Sequence, residues 1–362
     1  MAIIHDRDAD TLLLLCRAGF EADCAAELTE RAAGQGQGGY ARATREAGWL
    51  TWHQPGQPVA ALMPRTLHSG GLVFARTAWP VLGHFEDLPQ HDRISPLLAQ
   101  VAPAGPFSAL RLEHADTNTG RTLQRFLRGF RKALEPALKK AQLWDESADR
   151  ILHLFFEDSG RGLFGCAAAA SVSPWEQGIP RLRLPAAAPS RSALKLEEAW
   201  LRLMSDTEQA HWLAAGRTAV DLGAAPGGWT WQLARRGLRV TGVDHGRLAA
   251  HLLDEYPVSH VSADAFTWRP PRPVDVLVCD IVDKPSRSLA LMEKWLVRGW
   301  AKVALFNLKL PMKQRQATVS SLLARLEASL AEAGLTMQIR AAQLYHDREE
   351  ITVVVLPGQG GA

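Results

Sequence analysis

Cysteine is scarce in this chain, and no two cysteines stand in a C-x-x-C pair. The four, Cys16, Cys24, Cys166 and Cys279, are scattered, mostly among apolar or alanine-rich neighbours. That spacing argues against a disulfide framework or a cysteine zinc site and predicts buried free thiols. Long apolar runs are missing as well: nothing approaches the roughly 20 uninterrupted apolar residues of a membrane span. The N-terminus places acids ahead of a short apolar run, unlike a secretion signal. A cytoplasmic protein with no membrane partner is therefore expected. Charge of one sign is also lacking. A net charge of +3 says little about nucleic acid, so any such partner must be read from local patches. The histidines show no H-x-x-x-H or similar ligand spacing, and no metal is expected.

What the chain does have is length and organisation. Its 362 residues, 47% hydrophobic and 22% charged, suffice for two or three domains with sizeable cores. The character changes near residue 186, after the linker "PAAAPSR" (185–191). Before it the pattern is α+β, in a first unit over 1–85 and a second over 86–185. Strands are expected at "TLLLLCRAGF", "ARATREAGWLTWHQ", "GLVFARTAWPVL" and "FSALRLEHAD", with helices at "EADCAAELTERAA" and "SPLLAQVA". A long helix is expected over 121–140, kinked or interrupted at Pro136. The stretch "ILHLFFEDSGRGLFGCAAA" reads as a hairpin. From 186 to 362 short apolar strands alternate with helices, which predicts an α/β, Rossmann-like, doubly wound sheet.

The chemistry concentrates at "AVDLGAAPGGWTWQL", a strand, a glycine turn and a helix start. Gly227 and Gly228 permit a tight turn and close approach to a ligand. The spacing is not that of the dinucleotide fingerprint G-x-G-x-x-G, and such a turn alone can be a mere connector. The strands around it are more informative. Asp244, Asp264 and Asp280 end the next three strands, and Asp221 ends the first. Four carboxylates at one sheet edge suit a cationic ligand better than a polyphosphate, and no Walker lysine follows the glycines. A carboxylate at Asp244 can accept both ribose hydroxyls of an adenosine. S-adenosylmethionine, with its adenosine, amine and sulfonium, fits this edge better than NAD or ATP.

"DLGAAPGGW", with Asp244, Asp264, Asp280 and Lys309, resembles the FtsJ-like RNA ribose 2′-O-methyltransferases. "PSRSALKLEEAW", "FNLKLPMK" and "LYHDREEITV" narrow the likeness to the branch acting on large-subunit ribosomal RNA, and together these motifs run from 189 to 355. The N-terminal half is similar in layout only: the family carries a ferredoxin-like segment and a THUMP RNA-binding domain there. The resemblance implies a Rossmann-like methyltransferase domain and S-adenosylmethionine as the donor. It implies a cytidine ribose of 23S ribosomal RNA as acceptor, met before the subunit is fully assembled by a monomeric enzyme. It implies a donor pocket of Ser192, Ala225, Pro226, Gly227, Gly228, Asp244, Asp264 and Asp280, and Lys309 as proton acceptor beside Lys195 and Asp280. The fourth catalytic position falls on "HDREE". Glu349, Glu350 and the nearby His346 are open to it, and Glu350 aligns best.

A ribose hydroxyl must lose its proton as it attacks a methyl carbon. Free lysine, with a pKa of about 10.4, cannot accept it at neutral pH. A second cation and partial burial lower such a pKa. Lys195 and Lys309 with Asp280 between them would supply that balance, and the apolar neighbours of Lys309 would desolvate it. An ordinary strand lysine with its tip in water is the plainer alternative. Arg121, Arg125, Arg128 and Lys132 fall on nearly one face of the 121–140 helix, which suits RNA phosphates or simply water. Trp200 and Trp295 read as core. The competing readings are an NAD-dependent oxidoreductase, a cytosine-C5 methyltransferase using Cys279, a base-amine methyltransferase, and a non-catalytic RNA-binding protein that retains the fold.

Overall fold

The computed structural model describes residues 8–63 and 71–358. Residues 1–7, on which the reading of the N-terminus partly rests, lie outside them. The chain divides into two units, Met1–Pro180 and Arg181–Ala362.

The first unit runs β1 (Thr11–Cys16), α1 (Glu21–Gly34), β2 (Tyr40–Ala43), β3 (Trp49–His53), β4 (Ala75–Phe85), α2 (Ile94–Val101), β5 (Ala109–Glu113), α3 (Asn118–Thr122), α4 (Gln124–Lys140), β6 (Arg150–Phe156) and β7 (Gly162–Ala168). Its strands form one sheet in the order β2-β3-β1-β4-β7-β6-β5. The two expected α+β segments thus share a sheet, and β4 joins them. Residues up to Pro80 pair with β1, and Val81 to Phe85 pair with β7, with a register shift between Val81 and Gly83. Gly165 permits the crossing, because a Cβ there would lie 1.9 Å from the Pro80 carbonyl oxygen.

Two local expectations differ from what is found. "ARATREAGWLTWHQ" is a hairpin rather than one strand: its middle turns through Glu46 and Gly48, at φ of 63° and 74°. The 121–140 helix breaks at Leu123 into α3 and α4. Thr117 caps α3 by accepting the Gly120 N–H at 3.0 Å, and at the junction the Leu123 N–H bonds to the Gly120 carbonyl at 3.0 Å, a tighter 3₁₀ turn between α3 and α4. Pro136, in contrast, interrupts nothing, and α4 continues to Lys140. Pro136 and Lys132 both lie on the exposed face, so the carbonyl left without a partner by the proline is on the watered side. Leu127, Phe130, Leu134 and Leu138 form the buried stripe.

The second unit runs α5 (Ala193–Leu203), α6 (Asp206–Trp212), β8 (Thr218–Leu222), α7 (Gly228–Ala234), β9 (Arg239–Val243), α8 (Ala250–Glu255), β10 (Val258–Val261), β11 (Val274–Cys279), α9 (Pro285–Val297), β12 (Ala301–Lys309), α10 (Arg315–Glu332), β13 (Met337–Ala342) and β14 (Glu350–Pro357). The sheet order is β10-β9-β8-β11-β12-β14-β13. The first five are parallel, and β14 is antiparallel to both β12 and β13. Chain order reverses between β8 and β11, which makes that point the ligand crevice of a doubly wound sheet. Trp200, Leu233, Val278, Leu305 and Val354 pack one face, and Trp295 is also fully buried. Each such side chain contributes about 1.5–3 kcal/mol on leaving water. Among the described residues no helix is long and apolar enough to cross a membrane.

Candidate active site

Strand alternation builds the centre of the site. On β12, Val303 and Leu305 face the core; two and four residues on from Leu305, Asn307 and Lys309 continue that face to the carboxyl edge. On antiparallel β14, Leu356 and Val354 face the same core, and Thr352 and Glu350 continue towards the same edge. The register sets Asn307 opposite Thr352 and Lys309 opposite Glu350. β11 ends just before Asp280. Helix α5 covers this face and brings Lys195 down from its first turn.

Lys195, Asp280 and Glu350 meet there. The Lys195 Nζ lies 3.3 Å from both Asp280 oxygens and 2.5 Å from Glu350 Oε1. Burial pulls the Lys195 ammonium down, but Asp280 and Glu350 outweigh it and hold its pKa above the usual lysine value. Burial, opposed by Lys195 and reinforced by Glu350, holds Asp280 above the ordinary carboxylate range. Lys195 is thus held as the ammonium between two carboxylates. Lys309 departs from expectation. It is exposed, because the strand ends there and the apolar neighbours point elsewhere. It has no side-chain partner among the described residues. Of the three candidates on "HDREE", Glu350 is the one in the cluster. Glu349 pairs with Arg315 at 2.9 Å, and His346 Nδ1 lies 2.7 Å from Glu198.

The glycine turn lies between β8 and α7. Ala225 N–H and Gly246 N–H donate to the two Asp244 oxygens at 3.1 and 2.7 Å. That fixes the carboxylate and leaves a further lone pair on each oxygen for a ligand hydroxyl. Gly227 adopts φ 112°, and a Cβ on Gly228 would fall 2.3 Å from Ser192 Oγ. Ser192 is thereby placed against the turn, and its carbonyl accepts the Trp229 indole N–H at 3.0 Å. Pro226 follows Ala225 within the turn. Asp264 is exposed and accepts Phe266 N–H at 2.9 Å; it caps its own loop and touches none of the other carboxylates. Asp221 is buried under the turn and accepts the Thr230 hydroxyl at 2.7 Å. Burial, with Asp280 and Asp244 nearby, pushes it up to about 7. A crevice edged by carboxylates at Asp244 and Asp280, with a turn that carries no side chain at Gly227 and Gly228, fits an adenosine carrying positive charge.

Some residues of the site were not singled out from the sequence. Asn307 donates to Asp280 at 2.7 Å, Thr352 bonds to Asn307 at 2.6 Å, and Asp347 stands behind Thr352. The signal was an asparagine inside the apolar strand "ALFNLKL", two residues from Lys309 and so on its face. Glu198 is fully buried and accepts Tyr345 N–H and His346 N–H at 2.8 and 3.1 Å. One helical turn after Lys195, it pins the loop that leads into Glu350. All four cysteines are buried and free. Burial pushes the Cys279 thiol up to about 12, which removes the thiolate that a cytosine-C5 mechanism needs. Among the described residues no group of His, Cys, Asp or Glu is arranged to hold a metal ion.

Three family models match the chain: an RlmM ferredoxin-like domain over residues 9–79, the N-terminal region of ribosomal RNA large subunit methyltransferase M over 92–168, and an FtsJ-like methyltransferase over 188–321. The ribosomal RNA large subunit methyltransferase M of Alkalilimnicola ehrlichii is 47% identical over 355 residues, covering 97% of this chain and 96% of that one. The chain belongs to the ribosomal RNA large subunit methyltransferase M family. Its counterparts from Stutzerimonas stutzeri and Stenotrophomonas maltophilia are 47% and 44% identical, covering 95% and 96% of this chain and 98% and 97% of theirs. The FtsJ-like match spans the glycine turn, Asp244, Asp264, Asp280 and Lys309. Glu350 lies beyond it, so its place in the site rests on the strand register and on Lys195.

Proposed function

We propose that this chain transfers a methyl group from S-adenosylmethionine to the ribose 2′-hydroxyl of a cytidine in 23S ribosomal RNA, as a cytoplasmic monomer acting before the subunit is complete. The observation that carries the reading is the Lys195, Asp280 and Glu350 cluster beside Lys309, at the switch point next to the glycine turn. Bound S-adenosylmethionine supplies an electrophilic methyl. Asp244 would accept the ribose hydroxyls, and Asp264 would meet the adenine amino group. Ser192 and the Ala225, Pro226, Gly227 and Gly228 backbone would line the donor side. Lys195 is held as an ammonium by Asp280 and Glu350 and would orient the acceptor ribose. Lys309 would take the hydroxyl proton. RNA seated over its exposed tip would remove the water that favours the ammonium. Most of the rate then comes from alignment, because the donor carries its own driving force.

The N-terminal region, with a THUMP-like segment over 86–185, would hold the RNA. Arg125, Arg128 and Lys132 are exposed on one face of α4 without ion-pair partners among the described residues, and Arg121, which pairs with Asp116 at 3.4 Å, precedes them on α3. A non-catalytic RNA-binding role would not require Lys309 to stand free beside a Lys–Asp–Glu cluster. Calorimetry with S-adenosylmethionine and with NAD, followed by tritium methyl transfer to large-subunit RNA, tests the proposal. Donor binding together with label in RNA is expected. NAD binding, or donor binding without transfer to any RNA, would overturn it.

A further inference from the structure

Hydrogen atoms can be counted along the row behind Asp280. Asn307 lies 2.7 Å from Asp280 Oδ1 through its Nδ2, since an amide oxygen so close to a carboxylate would be repelled. Its Oδ1 therefore faces Thr352 Oγ1 at 2.6 Å, and the threonine hydrogen must point at it. A hydroxyl has one hydrogen. The other neighbour of Thr352 Oγ1 is Asp347 Oδ2 at 3.2 Å, so two oxygens face each other with no hydrogen from the threonine left between them. All three of Asn307, Thr352 and Asp347 are buried, the last two completely, so bulk solvent does not reach the row.

We propose that Asp347 is held as the neutral acid and is a positioning residue: its proton goes to Thr352, Thr352 donates to Asn307, and Asn307 donates to Asp280. The Asp347 hydroxyl oxygen can still accept the Leu344 N–H, 3.0 Å away. The reverse arrangement would turn the Asn307 amide over and put the proton on Asp280. Lys195, 3.3 Å from both Asp280 oxygens, opposes that. Around Asp347 the balance has the other sign. Burial acts first and Glu350 of β14 next, with Glu198 of α5 adding. Against them stand the Leu344 N–H and Lys195, and the acid is held well above its ordinary value. Asp280 itself faces Lys195 of α5, Glu350 of β14, Asn307 of β12 and Asp221 of β8. A neutral Asp347 keeps a third carboxylate charge away from Lys195. The directed row fixes Asp280 with one lone pair spent on Asn307 and the rest turned to the ammonium.

Two measurements on the full chain test this. The first is the carboxyl carbon shift of ¹³C-labelled aspartate, with Asp347 assigned by the signal lost in Asp347→Asn. Asp347 should stay protonated through pH 7, whereas titration in the ordinary carboxylate range would overturn the proposal. That reading needs no activity. The second rests on the methyl-transfer reading. Thr352→Val keeps the shape and deletes the hydroxyl. Its single-turnover rate should fall about tenfold or more with donor affinity within about threefold. With the Asn307 amide no longer directed, Asp280 should hold its proton to higher pH, so the acid limb of the rate profile should move up. Thr352→Ser should restore both rate and limb. A folded Thr352→Val enzyme with wild-type rate and an unmoved limb would refute the positioning role. Absence of methyl transfer in wild type would instead count against the methyl-transfer reading and leave the carbon-shift result to decide Asp347.

Discussion

Lys309 stands exposed at the end of β12, opposite Glu350, and its role can be separated from binding. Lys309→Ala should keep donor affinity within a few-fold and lose about 100- to 10,000-fold in single-turnover methyl transfer. Lys309→Arg should be nearly as inactive, because a guanidinium keeps its proton. An active Lys309→Arg enzyme would leave Lys309 as an electrostatic positioner only. Asp244→Ala should weaken S-adenosylmethionine roughly 10- to 150-fold by calorimetry, since a hydrogen bond to a charged group contributes about 1.5–3 kcal/mol. Asp221 gives a pH prediction. Its folded pKa, about 7, lies above the reference value of 3.8. Between those values the folded state holds a proton that the unfolded state has lost, so its contribution to stability falls as pH rises through that window. Asp221→Asn should therefore raise the melting temperature relative to wild type more at pH 8 than at pH 5. An equal shift at both would mean Asp221 ionises normally. Sequence reading reached Asp244, Asp280 and Lys309 because each ends a recognisable apolar strand. It did not reach Thr352, whose bond to Asn307 joins positions remote in the chain, or Asp347, which the loop before β14 turns back onto Thr352.

At the scale of elements, the apolar strands β8, β9, β11, β12 and β14 were readable because they are buried and short. β13 was not read as a strand. It is the sheet's last strand, its first half is only half-buried, and "MQIRAA" mixes polar and apolar residues. β4 was read as a strand, but nothing in its sequence announces that its two halves pair with different partners. The basic face of α3 and α4 was readable from spacing, although the break at Leu123 was not. Replacing Arg121, Arg125, Arg128 and Lys132 together by glutamine should weaken RNA binding. It should also reduce the slope of log affinity against log salt by about 0.7–0.9 for each phosphate that is no longer neutralised. Unchanged affinity and slope in filter-binding titrations would make that face a solvated surface only. Their exposure makes a large loss of stability unexpected.

At the scale of the whole molecule, the proposed roles fall in different units. The proposed donor crevice and reacting cluster lie in Arg181–Ala362, and the basic helix face proposed for RNA lies in Met1–Pro180. A fragment beginning near residue 186, if it folds, should bind S-adenosylmethionine as the full chain does and methylate RNA poorly. The sequence changes pattern near residue 186, after "PAAAPSR", where regular βα alternation begins; the contact division lies a few residues earlier, between Pro180 and Arg181. The central claim is the site of methyl transfer. Its most direct test is mass mapping of large-subunit RNA, free of ribosomal protein, after incubation with the full chain and isotopically labelled S-adenosylmethionine. Label confined to the ribose of one cytidine, and absent with Lys309→Arg, is the predicted result. Label on a base, or on no nucleotide at all while the donor binds, would contradict it.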